Sequence, residues 1–341
     1  MSINRYFKEL NIEPISKMDV RERVEFANSA SLFLMNSFLN HDLDHLKILD
    51  ILQKTDIYIS KIPENISPVN YSYKEEVIYI SDKIDINLEN EFIWHEIIHR
   101  IQHGKNKKGN LNQLGLCNIL ETKIQGLALN EAAIQYIVNK MLDSKLEIIK
   151  IYGMNIPTKS KSYYPILTNL IEQIAFILGD YLLIESTLKS NENFKYNIID
   201  NLGEKAFFTI QNNFDKLLEC KDKIMNTSRE YEIQDNINKV KTLYIETQNI
   251  IMTSYFNNLI KRIDTLKELD RFKEELINYK DLVGTKEGLI TYWKLFEELR
   301  PKIKQVEIKI KNKSLIVVSD NIIAKMFRKI KKYLSGILIE N

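Results

Sequence analysis

Three of the chain's five histidines fall in one stretch, EFIWHEIIHRIQHG, residues 91–104. His95 and His99 are four residues apart, with Glu96 between them. On an α-helix, positions i and i+4 lie one above the other on the same face. Two imidazoles so placed can share one tetrahedral Zn2+, and the intervening glutamate can reach a water activated by the metal. His95 and His99 are therefore candidate ligands, and Glu96 a candidate general base. The third histidine, His103, lies eight residues after His95. That is about 12 Å further along a straight helix, too far for one zinc with bonds near 2 Å to join both. His103 is read as a wall residue or substrate contact, not a ligand.

A catalytic zinc site needs a third protein ligand. A carboxylate on a following helix would supply it, and two stand out: Glu121 in NILETK and Glu131 in LNEAAIQYI. If one helix carries both, Leu127, Ile134, Val138, Met141 and Leu142 make its apolar stripe. Glu131 then falls about 50° from the centre of that stripe and Glu121 roughly 130° away. A glutamate at the edge of a buried face needs a partner, because an unpaired buried carboxylate is costly. Zinc is one such partner; a lysine or a helix end is another. Glu131 is the expected ligand and Glu121 its alternative.

HEIIH followed, 32 residues after its second histidine, by Asn130-Glu131 resembles the gluzincin pattern of zinc metallopeptidases. In that pattern HExxH sits on one helix and an NE-type glutamate on the next. The resemblance covers about residues 57–184. It implies a zincin-like catalytic domain, zinc held by His95, His99 and Glu131, and Glu96 as general base in the hydrolysis of a peptide or protein substrate. It further implies a strand ahead of the motif that lies antiparallel to substrate, for which YKEEVIYIS is the candidate. Tyr163, Tyr164, Tyr136 and His103 are the candidates for a group that holds the oxyanion or touches substrate. Thermolysin-like members place an Asp shortly after the NE pair, bonded to the first zinc histidine. Ile134 and Gln135 stand in that region here, so His95 has no identified partner at this stage. The metzincin arrangement fails, because Gln102 and Lys105 stand where it needs Gly and His.

The surrounding elements must hold this constellation. Trp94, Ile97, Ile98 and Ile101 recur at i, i+3, i+4 and i+7 and form the core stripe of the histidine helix. The His95/His99 face points roughly 140° from that stripe, toward a cleft. Asp85 or Asn87 is the expected cap, Glu89 and Glu91 suit the first turn, and Gly104 ends the helix. Upstream, helices are predicted over residues 20–39 and in HDLDHLKILDILQK. Strands follow in DIYISKI and YSYKEEVIYIS, paired loosely across Pro63 and Pro68. Downstream come a polar loop, KNKKGNLNQLG, a helix over CNILETKIQGLALNEAAIQYIVNKML, a linker bounded by Pro157 and Pro165, and a helix over PILTNLIEQIAFILGDYLLIESTL.

Between Gly203 and Gly284 there is neither glycine nor proline. Apolar residues such as Ile233, Ile237, Val240, Tyr244 and Ile251 recur there at near-helical or heptad spacing, which predicts long packed helices or a coiled-coil arm. A short strand, SLIVVS, and a basic final helix, NIIAKMFRKIKKYLSGIL, complete the chain. The expected fold is α+β and predominantly helical: a zincin-like domain with a small antiparallel sheet over residues 1–205, then a helical region over residues 206–341. Residues 302–332 carry ten Lys or Arg against Glu307 and Asp320. That run supports a rival reading, a non-catalytic zincin-like binding or regulatory protein with weak anionic-surface contact through this region. The formal net charge of the whole chain, +2, gives no general preference for nucleic acid or membrane. The longest apolar run is broken by Asn169, Glu172, Gln173 and Asp180, so no membrane span is expected. With no apolar leader and with Cys117 and Cys220 forming no redox or zinc motif, the expected setting is cytoplasmic.

Overall fold

A computed structural model of the chain describes residues 10–103, 113–120 and 123–337, with residues 120, 123 and 314–337 described as backbone only. It is predominantly helical, with three small sheets. No described helix is long and apolar enough to cross a membrane.

The largest sheet has the order β1 (Glu13–Lys17), β2 (Asp56–Lys61), β4 (Val77–Ser81), β3 (Val69–Ser72). β2 and β4 run parallel, and the other two pairs are antiparallel. YSYKEEVIYIS is thus not one strand. It folds back at residues 73–76, where Glu76 takes a left-handed φ of 59°, and its two arms become β3 and β4. The candidate substrate strand YKEEVIYIS changes accordingly: β4 is paired on both sides, and β3 is the edge. Between β1 and β2 the chain forms α1 (Val20–Ser37) and α2 (His45–Gln53), each capped by an aspartate side chain.

The histidine helix, α3 (Glu91–Gln102), is capped by Asn90, whose side chain accepts from Phe92 N at 2.9 Å. Asn87, an expected cap, instead accepts from Glu89 N in the preceding turn. Trp94, Ile97, Ile98 and Ile101 are buried as their spacing requires, and Phe33 of α1 stacks on Trp94. The expected terminator, Gly104, lies outside the described residues.

The predicted helix from Cys117 onward is divided. β5 (Gln113–Leu114), β6 (Cys117–Leu120) and β7 (Lys123–Gln125) form a three-stranded sheet, and only then does α4 (Leu127–Met141) begin. Gly126 makes the break: its φ of 78° is left-handed, and an added Cβ there would lie 2.7 Å from Gln211 Nε2. Glu121 lies outside the described residues, and the helix that carries Glu131 begins at Leu127.

α4 has no side-chain cap of its own. Asp215 of α8 (Glu204–Asn226) supplies one from a distant part of the chain, accepting from Gly126 N at 3.1 Å and Ala128 N at 3.0 Å. α8 and α9 (Glu230–Leu259) pack on each other and on α4 and α5 (Pro165–Leu178), not as a free arm. Phe207, Phe214, Leu217, Val240, Tyr244 and Ile251 join the same core cluster as the isoleucines of α3.

The helix expected over PILTNLIEQIAFILGDYLLIESTL ends at Gly179, whose φ of 74° separates α5 from α6 (Tyr181–Lys189). The polar residues that interrupt this apolar run are used inside. Tyr244 Oη donates to Asn169 Oδ1, Gln173 Nε2 donates to the same oxygen, and Tyr279 Oη donates to Gln173 Oε1. This satisfied network ties α5 to α9 and α10 (Leu266–Tyr279). The remaining elements are the hairpin β8 (Glu147–Ile151) with β9 (Met154–Thr158), α7 (Asn193–Leu202) and α11 (Lys286–Ile337). SLIVVS is not a strand but part of α11. No turn residue separates it from the lysine-rich turns before it, and the β preference of Val and Ile is weak against a helix already under way. The side chains of the basic run from residue 314 onward lie outside the described residues.

Glu172 on α5 stands outside this network. Burial pushes its carboxyl up to about 7, against the pull of the Lys159 N–H and ammonium, and its Oε2 has no hydrogen-bond partner. From pH 4.5 to 7 the unfolded chain has lost this proton while the folded chain keeps it, so the stability contribution falls across that window and stays low above it. Glu172→Gln is expected to match the parent near pH 4 and to be more stable by about 2–3 kcal/mol at pH 8. Urea melts at the two pH values check this; an equal difference at both would refute it.

Candidate metal centre

α3 presents His95, Glu96 and His99, and α4, packed beside it, presents Glu131. The register between the helices is fixed by a reciprocal amide pair. Gln102 Nε2 donates to Asn130 Oδ1 at 3.1 Å, and Asn130 Nδ2 donates to Gln102 Oε1 at 3.2 Å. Asn130 also accepts from Leu116 N, so the residue before Glu131 anchors α4 to the β5–β6 turn.

The three donor atoms form a triangle: His95 Nε2 to His99 Nε2 3.2 Å, His95 Nε2 to Glu131 Oε2 3.2 Å, and His99 Nε2 to Glu131 Oε2 3.7 Å. Tetrahedral bonds of about 2.0–2.2 Å give ligand–ligand edges of roughly 3.3–3.6 Å. The residues therefore fit a metal ion without rearrangement. All three are buried, and among the described residues they are the group of His, Cys, Asp and Glu side chains able to hold one.

Outer contacts aim the histidines. Gln135 Nε2 donates to Glu91 Oε2 and to Asn139 Oδ1, both at 3.0 Å. Its Oε1 is thereby turned toward His95 Nδ1, 3.2 Å away, and can only accept. His95 then carries its proton on Nδ1 and leaves Nε2 free for a metal. Tyr73 Oη lies 2.6 Å from His99 Nδ1. Burial, with Glu131 and Glu96 nearby, raises the Tyr73 phenol well above its ordinary range, so it stays neutral. The neutral hydroxyl can accept from His99 Nδ1–H, the arrangement that leaves His99 Nε2 its lone pair.

The partner of His95 missing from the sequence reading is thus Gln135. It lies one helical turn after Glu131, on the same face, and that i+4 spacing was the signal available. Tyr73 had a signal too: in the strand predicted over YSYKEEVIYIS it is the i+2 neighbour of Tyr71 on one face, although it sits just past the end of β3. Replacing the amide by an alkyl group, Gln135→Leu, is expected to weaken zinc binding about 10- to 100-fold with the fold retained. A competition titration against a zinc chelator reads this, and parental affinity would remove the aiming role.

Two carboxylates serve different ends here. Burial alone raises the Glu131 carboxyl, but charge and hydrogen bonds from His99 and His95 in their protonated forms outweigh it and hold the group well below its ordinary range; with the imidazoles neutral, a metal cation would supply that charge instead. Burial raises Glu96 to about 7, moderated by His95 and the Tyr71 N–H and reinforced by Glu131. Glu96 Oε2 accepts from Tyr71 N at 2.8 Å, so the edge strand β3 fixes its carboxylate.

The other sequence candidates divide. Tyr163 stacks on the His95 ring at 4.4 Å with its hydroxyl against Ser67 Oγ, and the Tyr164 ring is 6.2 Å from His95. Both rings lie beside His95. Tyr136 does not: its hydroxyl donates to Asp180, one helix face away from Glu131. His103 ends α3 and is buried against β3, its Nδ1 2.5 Å from Tyr71 Oη. It braces the strand and does not reach the donor triangle. Comparison with protein-family models, curated proteins and solved structures found no match.

Proposed function

We propose that this chain is a zincin-like zinc metallopeptidase of the gluzincin type. The observation that carries the reading is the buried triangle of His95, His99 and Glu131 with Glu96 beside it. Two imidazoles and one carboxylate are a donor set suited to zinc, and three protein ligands leave a position open for chemistry. When bound, the zinc lowers the pKa of water toward about 7 and polarises a substrate carbonyl. Glu96, oriented by the Tyr71 amide, takes the proton from the attacking water and passes it to the leaving amine. Gln135 would keep His95 in the ligating tautomer, and the Tyr73 hydroxyl can accept from His99 Nδ1–H to the same effect. β3, the sheet edge against α3, gives its Tyr71 N–H to Glu96, and Tyr163 and Tyr164 form the rim beside His95.

The test uses the full chain purified without added metal. About one zinc per chain is expected, with cleavage of a quenched peptide library that stops on chelation and returns with zinc. Full zinc without any cleavage would leave a metal protein that is not a peptidase. Substoichiometric zinc would remove the reading altogether.

A further inference from the structure

A cavity of about 670 Å3 lies between the β8–β9 hairpin, α9 and the start of α11, within the range of about 300–1,000 Å3 common for ligand pockets. It shares no lining residue with the metal donors. Met154, Pro157, Ile245, Val283 and Leu289 make its wall apolar, and Ile148 joins them while 75% exposed. Three ammonium groups line the same space: Lys241 of α9, Lys280 in the short turn Lys280–Leu282, and Lys286 at the start of α11.

Hydrogen bonds between its walls hold the cavity open in advance of any ligand. Gln248 of α9 grips Gly284 twice, accepting from its N at 2.8 Å and donating to its O at 3.2 Å. Thr285 N donates to Asn155 O of β9 at 3.2 Å. Thr285 is buried with a left-handed φ of 65°, an outlier for a β-branched residue that these bonds keep in place. The hairpin turns through Tyr152 and Gly153, both at positive φ, as a two-residue turn between paired strands requires. That turn brings Gly153 against Lys241, where an added Cβ would lie 3.7 Å from Nζ. Glycine leaves the ammonium uncovered on this side.

The protein does not pair these charges itself. Asp281 and Glu287 also line the cavity, so three positive charges face two negative ones. Among the described residues neither acid forms an ion pair with any of the three lysines. Lys280 Nζ sits instead 5.3 Å over the Trp293 ring. Lys241, half-buried, has neither a hydrogen bond nor an ion pair among the described residues. A charge partly withdrawn from water calls for a counter-ion, and here the chain supplies none.

We propose that this cavity binds an organic anion, a carboxylate or phosphate head joined to an apolar chain. The head pairs with Lys241 and with the exposed Lys280 and Lys286, and the chain lies along Ile245, Val283 and Leu289. The site stands apart from the metal centre and does not depend on the peptidase reading.

The test is calorimetry on the full chain with decyl phosphate, decanoate, decanol and inorganic phosphate, each kept below the concentration at which it aggregates. At least one of the two anionic amphiphiles is expected to bind at one per chain, and the tighter of them tells a phosphate head from a carboxylate. Decanol, which lacks the charge, is expected to bind about tenfold more weakly, and inorganic phosphate, which lacks the chain, about a hundredfold more weakly. Lys241→Glu should lower affinity for the anion about tenfold or more, while Lys241→Arg retains it. Ile148→Asp, at an exposed position, should also weaken binding and serves as a second variant if Lys241→Glu does not fold. No binding of either anionic amphiphile would overturn the proposal. Decanol or inorganic phosphate binding as tightly as the amphiphiles would overturn it too, because one half of the ligand would then be idle. Parental affinity in every folded variant would place the ligand on another surface and overturn the assignment of the cavity.

Discussion

Glu131→Ala purified without added metal is expected to carry almost no zinc, while Glu121→Ala retains the parental amount. Removing Glu131 leaves two neutral imidazoles on one helix, with no anionic donor and no link from the metal to α4. Loss of an outer contact to a ligand typically weakens binding about 10- to 100-fold, and loss of a ligand should exceed that. The prediction separates two glutamates that are ten residues apart and that the chain's composition does not distinguish. Only Glu131 has an oxygen 3.2 Å from His95 Nε2 among the described residues. Elemental analysis of both variants decides it. Retention of zinc in Glu131→Ala would mean that the metal is held by another set of atoms.

Glu96→Gln gives the second large effect, on rate with metal content unchanged. Glutamine has nearly the same shape and keeps an oxygen to accept from Tyr71 N, so the mounting of α3 on β3 survives. It cannot take a proton from water. Removing a positioned general base costs about 100- to 10,000-fold, and the loss should fall on kcat with KM changed little. Zinc near one per chain in the variant makes the comparison clean. Parental kcat would assign proton transfer to another group; loss of zinc would show that Glu96 supports the metal directly.

The candidate metal-binding group was legible because its geometry is local. HExxH places two donors by helical geometry alone, and the burial of Ile97, Ile98 and Ile101 followed from their spacing. What surrounds it was less so, for identifiable reasons. Asn118 to Gln125 has the apolar content of either a strand pair or a helix, and only the left-handed Gly126 separates the alternatives. The hairpin inside YSYKEEVIYIS depends on Glu76 adopting a positive φ that its residue type does not advertise. Tyr136 shares a helix with Glu131, yet its hydroxyl is drawn off by Asp180, a partner 44 residues away. Gln135 was passed over because a neutral amide does not announce itself as an orienter. Its role emerges from Glu91 and Asn139, which occupy its donor nitrogen and so turn its oxygen toward His95.

The cap that Asp215 places on α4 bears on how the protein can be cut. A fragment ending at Gly203 would contain every metal donor and Glu96, and would look sufficient on paper. It would lack the carboxylate that receives the Gly126 and Ala128 amides, the two free donors one turn before Glu131. Expressed alone, such a fragment should be poorly soluble and bind zinc weakly. Supplying the missing half in trans, as a separately expressed polypeptide, should recover metal uptake if the two pieces can reassemble. The candidate donor set and the cap that orders its α4 member thus come from opposite sides of residue 203, and the unit to be kept whole spans both.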